Sequence, residues 1–250
     1  ARAFERVFPA DRMTKRERVE ATLHHQPVDR VPLLEQLSYN PRVIADWTGK
    51  AIHGFDYTVA DICAVIRRTL DLAMPAVPPR GNRQEVTPDG FVIQNDQWTC
   101  WHVRRPFTDE QGARDWLLQR ITAIRKSSFN AKQARQAYRD QMRDWQRQIG
   151  ATVILNYSMT GFCSVFNAMG LELFTFFQDA YPEVLKEYME VSTKREIRRI
   201  QAVADPALAP VILLPEDFAT KQGPIFALDF LREFHYPYVR QLAEAWHAHG

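Results

Sequence analysis

The sequence of 250 residues has few cysteines, almost no net charge and no long apolar run. Its cysteines are Cys63, Cys100 and Cys163, and their wide spacing argues against a disulfide framework and indicates a reducing compartment such as the cytoplasm. The 32 lysines and arginines nearly balance the 30 aspartates and glutamates, which excludes a strongly basic nucleic-acid binder. Because no segment reaches about 18 consecutive apolar residues and the first residues lack an apolar core, we expect neither a membrane span nor a signal peptide.

Local motifs for phosphate and zinc are also missing. Neither GxGxxG nor GxxxxGK[ST] occurs, and Gly161, Gly170 and Gly223 stand alone. The patterns HxC, CxxC and HxxxH, which bring zinc ligands together over a short stretch, are absent as well. A nucleotide loop or a local zinc motif is therefore not expected in these 250 residues.

Short apolar segments alternate with longer amphipathic ones, which predicts a parallel sheet with crossover helices. The strands are expected at 30–34, 73–77, 151–155 and 211–214. The helices are expected at 14–26, 41–47, 58–72, 109–125, 130–149, 165–178, 182–203 and 230–249. The absence of a phosphate loop favours a (β/α)8 barrel over an open doubly wound sheet. Since a closed barrel needs eight strands, about half of it is expected to be missing from this chain.

The stretch 84–105 differs from its surroundings, and the turn Pro88-Asp89-Gly90 predicts a β-hairpin there. We therefore expect a single barrel domain over 1–250 with a hairpin insertion near 84–105. Two interpretations of its aromatic residues, Trp98 and Trp101, stay open. They form either a binding lid or a small apolar cluster under the barrel mouth.

Ligands of parallel α/β folds meet the carboxyl ends of the strands, so the residues that follow each strand are the candidates. The candidate catalytic or metal-binding carboxylates are Glu35, Glu216 and Asp217. The candidate substrate-binding residues are Tyr39, Asn156, Tyr157 and Gln222. Glu216 and Asp217 are adjacent and point in different directions, so at most one of them faces the ligand. Simpler interpretations stay open, in which the carboxylates mark solvated strand ends or cap turns.

Histidine and cysteine give weaker indications. His235 lies just before Pro237, which is expected to kink the last helix, and both a catalytic and a core role stay open for this histidine. Cys63 is expected in the core, and Cys163 follows a strand-end loop without a histidine base placed beside it.

Three segments of the chain together resemble the uroporphyrinogen decarboxylase superfamily. The first is MTKRERV at 13–19 with PVDRVP at 27–32, and the second is GLELF at 170–174 with DAYPE at 179–183. The third comprises EDFA at 216–219, QGP at 222–224, PY at 237–238 and the closing HG. Their order and spacing match across nearly all of the chain. The resemblance implies a (β/α)8 barrel that is truncated here, with about its last third expected after Gly250.

Two activities are implied by this resemblance, and the residues after the first strand discriminate between them. The decarboxylases remove acetate carboxyl groups from uroporphyrinogen without a cofactor, and an Arg-Gln-Ala-Gly-Arg motif holds the substrate carboxylates. This chain has Glu-Gln-Leu-Ser-Tyr at 35–39, and the first arginine after that strand is Arg42. Phe166 and Asp217 also depart from the decarboxylase pattern. Because a substrate with many carboxylates needs bidentate arginines and Glu35 would repel it, the resemblance favours the methyltransferase branch.

That branch implies methyl transfer or demethylation between a small methylated substrate, a corrinoid (cobalamin), and a thiol or pterin acceptor. It implies zinc ligands after Gly250, where an HxC motif and a later cysteine would activate the acceptor thiol. Glu35 and Glu216 or Asp217 would then ligate metal or hold a cationic or hydroxylated substrate. A corrinoid protein is the implied partner, and the sequence leaves a homodimer open. Two alternatives remain: tetrapyrrole decarboxylation, which requires a basic cavity, and a non-catalytic barrel that binds a ligand or a corrinoid.

Overall fold

The computed structural model describes residues 8, 10–35, 40–78, 81–96 and 99–249, and it is a mixed α/β protein. The helices are α1 (Lys15–Leu23), α2 (Pro41–Thr48), α3 (Val59–Thr69), α4 (Glu110–Lys126), α5 (Ala131–Ile149), α6 (Phe162–Met169), α7 (Leu171–Ala180), α8 (Pro182–Val203), α9 (Leu228–Phe234) and α10 (Tyr236–His247). The strands are β1 (Leu34–Glu35), β2 (Leu72–Ala73), β3 (Arg83–Val86), β4 (Val92–Asn95), β5 (Cys100–Arg104), β6 (Val153–Tyr157), β7 (Val211–Leu213), β8 (Ala219–Thr220) and β9 (Gly223–Pro224). None of the helices in the described part of the chain combines the length and apolarity that crossing a bilayer requires.

The main sheet has four strands in the order β1-β2-β6-β7, and all its neighbours are parallel. This confirms the predicted parallel α/β arrangement. The prediction of a buried strand at 30–34 is wrong, because β1 comprises only Leu34–Glu35 and Val31 is 76% exposed. As an edge strand, β1 has one paired neighbour among the described strands. The strand predicted at 73–77 is also shorter in the structure, where β2 comprises only Leu72–Ala73. Pro75 has no N–H to donate to a sheet neighbour.

A second sheet consists of β3, β4 and β5, paired antiparallel in that order. The prediction of a hairpin at 84–105 is therefore incomplete, because the third strand β5 follows the two strands that the turn joins. The turn itself lies where the sequence predicts it, with Gly90 at φ 88° and the Phe91 N–H donating to the Thr87 hydroxyl. Phe91 is buried edge-on against Phe107 and Trp116, whose ring centroids lie 5.8 and 5.6 Å away, whereas Trp101 is half exposed. Trp98 lies outside the described residues.

Two helices predicted as continuous are each divided in two. The helix predicted at 165–178 is interrupted at Gly170, whose φ of 79° lies in a region that side chains with a Cβ rarely adopt. The helix predicted at 230–249 is interrupted at His235, which ends α9 and precedes α10. Pro237 lies in the first turn of α10, where its missing N–H has no helical partner to lose. The kink expected from Pro237 is thus a complete break.

The core has two large apolar clusters, and α8 contributes to both. Its first half, including Leu185 and Met189, packs with α4, α6, α7 and α9. Its second half, including Ile200 and Val203, packs with α3, α5, α10 and the helix-facing residues of the main sheet. The polar middle of α8 lies between the clusters, and the cavity described below opens beside it.

A network of charged side chains closes the amino-terminal side of the main sheet. Arg18 of α1 is fully buried and contacts Asp29 and Asp71 at 2.7 Å each. Arg30 pairs with Asp11 at 2.9 Å and with Asp71 at 2.7 Å. Buried charges are retained only when paired and hydrogen-bonded, and these five side chains satisfy that condition for one another.

Lys15 of α1 is also fully buried. Its ammonium donates to the Arg67 carbonyl oxygen at 2.7 Å and to the Thr152 hydroxyl at 2.8 Å. Burial lowers the pKa of Lys15 to about 8, against the partial opposing effect of the Asp71 carboxylate. These contacts attach α1 to the start of β6.

Candidate functional site

A cavity of about 550 Å³ lies beyond the carboxyl ends of β2 and β6. The loop after β2, the residues after β6, and the facing sides of α4, α5 and α8 enclose it. Its polar lining includes Tyr138, Gln141, Asn156, Tyr157, Ser158 and Thr160. The volume lies in the range of small-molecule sites, and the carboxyl ends of parallel strands are where such folds bind ligands.

Two predicted residues, Asn156 and Tyr157, are brought together in this cavity. The Asn156 amide donates to the Tyr138 hydroxyl at 3.0 Å, and its oxygen accepts the Tyr157 N–H at 2.8 Å. Burial raises the pKa of Tyr138, so its hydroxyl keeps its proton at neutral pH and remains a donor. Asn156 therefore fixes the wall of the cavity, while the Tyr157 side chain is half exposed and reachable by a ligand.

Glu196 and Arg199 of α8 form the ion pair on the cavity wall. Their atoms Nε–Oε2 and Nη2–Oε1 lie 2.8 and 2.6 Å apart, and the Ser158 hydroxyl also donates to Glu196. Burial favours the protonated acid, but the hydrogen bonds from Arg199 and Ser158 prevail and hold the pKa of Glu196 below its usual value. This carboxylate is therefore ionised and already occupied by three donors.

Two further arginines line the same cavity. Arg195 lies on the exposed side of α8 and makes no ion pair with any described residue. Arg120 of α4 stacks over Trp116 at 5.1 Å and approaches Asp89 at 3.3 Å. Its Nε is buried without a hydrogen-bond partner among the described residues. The lining thus carries three guanidinium groups and one carboxylate.

Glu216 adjoins the cavity through Thr160. Its Oε1 accepts the Thr160 hydroxyl at 2.8 Å, and its Oε2 is buried without a partner among the described residues. Burial, with the neighbouring Glu216 carboxylate, raises the pKa of Cys163 to about 12. Burial lowers the pKa of His235, which lies among Phe162 and Phe218, and its Nδ1 has no partner within the described part of the chain.

The chemistry of this cluster follows from those protonation states. Cys163 is a thiol at neutral pH and a poor nucleophile, since thiolates are the reactive form. His235 is a neutral imidazole in an apolar surrounding. Metal ligation finds no support here, because the described residues contain no group of three histidine, cysteine, aspartate or glutamate side chains that could hold an ion.

The other predicted site residues lie away from the cavity. Glu35 is exposed at the carboxyl end of the edge strand β1, paired with Ala73 of β2, and it does not line the cavity. Asp217 is exposed, and Gln222 lies at the exposed turn between β8 and β9. Tyr39 lies outside the described residues. The three predicted carboxylates are therefore not gathered around one point, because β1 and β7 are three strand spacings of about 4.8 Å apart.

Sequence reasoning missed the contributions of α8. Attention to strand ends does not reveal Arg195, Glu196 and Arg199, which come from the middle of a helix. A signal was present, since Ser192, Arg195, Glu196 and Arg199 recur at the spacing of one helical face. A polar stripe inside an otherwise core-forming helix indicates a cavity or a solvent channel on that side.

Comparisons with known proteins do not place the chain in a family. A scan against protein-family models finds no match, and a search of curated proteins finds no significant match. Membership of the uroporphyrinogen decarboxylase superfamily therefore stays a prediction that depends on the segments quoted above.

Proposed function

We propose that the chain is part of a (β/α)8 barrel enzyme of the uroporphyrinogen decarboxylase superfamily, in its corrinoid-dependent methyltransferase branch. The strand order supports the barrel, because β1, β2, β6 and β7 lie side by side in chain order. In a doubly wound sheet the order of the strands along the chain reverses at a switch point, and the described strands of the main sheet show no such reversal. The cytoplasmic location is also proposed; it agrees with three cysteines that form no disulfide in the described chain.

The observation that carries the functional proposal is the polar cavity at the carboxyl ends of β2 and β6. It is the place where a barrel enzyme holds its substrate, and it presents the predicted residues Asn156 and Tyr157. The proposed substrate is a small methylated compound that the Tyr157 hydroxyl orients. Glu216 acts through Thr160, whose hydroxyl it fixes at the cavity wall.

In this proposal neither the corrinoid nor zinc is bound by the residues that line the cavity. A corrinoid supplies the cobalt that accepts or donates the methyl group, whereas a cavity of about 550 Å³ fits a small substrate. We therefore place the corrinoid on a partner protein. The described residues do not fit zinc, so the role proposed for them is to bind and orient the substrate and exclude water.

The test is anaerobic and follows both half-reactions. Cob(I)alamin is mixed with a panel of methylated amines, thioethers and aryl methyl ethers, and methylcobalamin is mixed with thiols and zinc. The expected result is a protein-dependent change between the two cobalamin spectra in at least one arm. If the protein accelerates neither cobalamin reaction above the rate in buffer alone, the proposal is refuted.

A pair of tyrosine variants ties the activity to the cavity. Tyr157→Phe is expected to lower kcat/KM by about 2- to 10-fold, the effect of one uncharged hydrogen bond. The control is Tyr236→Phe, because Tyr236 is similarly exposed and lies outside the cavity. Equal effects of the two variants would show that the reaction takes place elsewhere.

The volume of about 550 Å³ counts against a macrocyclic substrate here as it does against a corrinoid, but one observation favours a second candidate, tetrapyrrole decarboxylation. It requires a basic cavity, and Arg120, Arg195 and Arg199 supply a positive lining that the residues after β1 do not. Incubation with uroporphyrinogen, followed by oxidation and separation of the porphyrins by carboxylate number, distinguishes this activity from methyl transfer. Tight binding in either assay without turnover would point to the non-catalytic alternative.

A further inference from the structure

We propose that the cavity contains an oxyanion site, in which Arg195 and Arg120 bind a carboxylate or phosphate group of a small organic ligand. The inference deepens the proposed function by naming a substrate class, and it rests on that function only in taking the cavity as the place of the substrate. Four observations carry it: the charge of the lining, the occupied Glu196, the unpartnered donor of Arg120 and the uncharged donors of Tyr138 and Gln141.

The charge of the lining is unbalanced. Three guanidinium groups face the cavity and the lining carries one carboxylate, that of Glu196. This carboxylate is bound through both oxygens by Arg199, at 2.6 and 2.8 Å. Arg195 is one helical turn before Arg199 and interacts with Glu196 only through space, without an ion pair. Arg120 is paired with Asp89, which lies outside the cavity lining, so among the described residues the Arg195 charge on the cavity wall has no acidic partner.

Arg120 supplies an oriented donor. The guanidinium stacks on Trp116 and contacts Asp89, and Trp116 donates to the same Asp89 carboxylate, so these three side chains form one contact group beside the cavity. Its Nε is buried and unpartnered among the described residues, which is uncommon because a buried donor without an acceptor destabilises the fold. An acceptor with negative charge removes that penalty and gains a charge-assisted hydrogen bond.

The chemistry of these groups defines the ligand class. Guanidinium forks match the two-oxygen geometry of carboxylate and phosphate, and they discriminate against neutral or cationic groups. Tyr138 keeps its proton, and with Gln141 it adds uncharged donors around the rest of the ligand. A cavity of about 550 Å³ accepts a small organic acid or a phosphate ester.

Calorimetric titration of the purified protein with succinate and with inorganic phosphate tests the site and separates the two oxyanions. Arg195→Gln is the informative variant, since Arg195 is exposed and its replacement leaves the core intact. The matched control is Arg198→Gln, which removes the same charge from the exposed surface of the same helix outside the cavity. We expect Arg195→Gln to weaken binding about tenfold and Arg198→Gln to leave it unchanged, because about 1.4 kcal/mol corresponds to a tenfold change.

The outcomes separate this inference from the proposed function. No binding of either oxyanion at millimolar concentration, or equal weakening by both variants, overturns the oxyanion site. Binding that Arg195→Gln weakens supports the site even if neither cobalamin half-reaction is accelerated, in which case methyl transfer alone fails. The third outcome is methyl transfer at the same rate with and without succinate in the buffer, together with no measurable oxyanion binding. That result supports methyl transfer and refutes the oxyanion site.

Discussion

Replacement of Asp71 by asparagine is the most demanding test of the charged network beneath the main sheet. Asp71 is fully buried and accepts hydrogen bonds from Arg18 at 2.7 Å, from Arg30 at 2.7 and 3.1 Å, and from the Leu33 N–H at 2.7 Å. The substitution keeps the size of the side chain and removes its charge, which leaves the fully buried Arg18 without one of its acidic partners. Because removal of one partner from a buried ion pair costs about 3–5 kcal/mol, we expect a loss of that size in the free energy of unfolding.

The assay is urea unfolding at pH 7 followed by far-ultraviolet circular dichroism, with thermal unfolding as a second measure. For a chain of this length each kcal/mol lowers Tm by about 2–4 °C, so the expected decrease is about 6–20 °C. The control is Asp229→Asn, since Asp229 also pairs with an arginine at 2.7 Å but its side chain is 93% exposed. If Asp71→Asn is no more destabilising than this control, the network does not stabilise the fold as described.

Three further predictions follow from individual residues. Burial lowers the pKa of Lys15 in the folded protein to about 8, from an ordinary value of 10.5. Between pH 8 and pH 10.5 the unfolded chain therefore binds more protons than the folded one, so the free energy of unfolding rises with pH in that range. Urea unfolding at pH 8 and pH 10 is expected to show that rise, and Lys15→Met is expected to reduce it. Gly161→Ala is expected to cost about 2–4 kcal/mol, against about 1–2 for Gly49→Ala. Both glycines have positive φ, but only at Gly161 does an added Cβ approach a neighbour, within 3.0 Å; equal losses in chemical denaturation would contradict this account. A thiol reagent at pH 7 is expected to label the exposed Cys100 rapidly and Cys163 only in urea, and rapid native labelling at Cys163 would show that it is not a buried thiol.

The sequence predicts well those elements whose signals are local. The bounds of α8 agree at both ends with the predicted 182–203, because a proline begins the helix and the apolar repeat ends with it. The parallel sheet follows in the same way from short apolar segments between helices. The breaks at Gly170 and His235 were harder to place, since a glycine or a proline inside a helical pattern indicates a kink as readily as a full interruption.

Features that depend on distant partners could not be predicted. The segment around α1 is highly charged and has the composition of a solvated helix, yet Lys15 and Arg18 are its most buried side chains. Their burial depends on Asp71 and Thr152, which are more than 50 residues away along the chain. The cavity has the same origin, because Arg120 and Arg195 converge on it from two helices whose separation in the sequence gives no indication of contact.

The division of α8 between two apolar clusters has a consequence for how the protein opens. Each cluster holds one half of the helix, so separation of the clusters requires α8 to loosen in its polar middle. The cavity lies against that same middle, between Ser192 and Arg199. We therefore expect a ligand bound there to stabilise the packing of both clusters through the middle of α8. Amide hydrogen exchange is expected to slow in both halves together when the cavity is filled, although the ligand contacts few of the amides concerned.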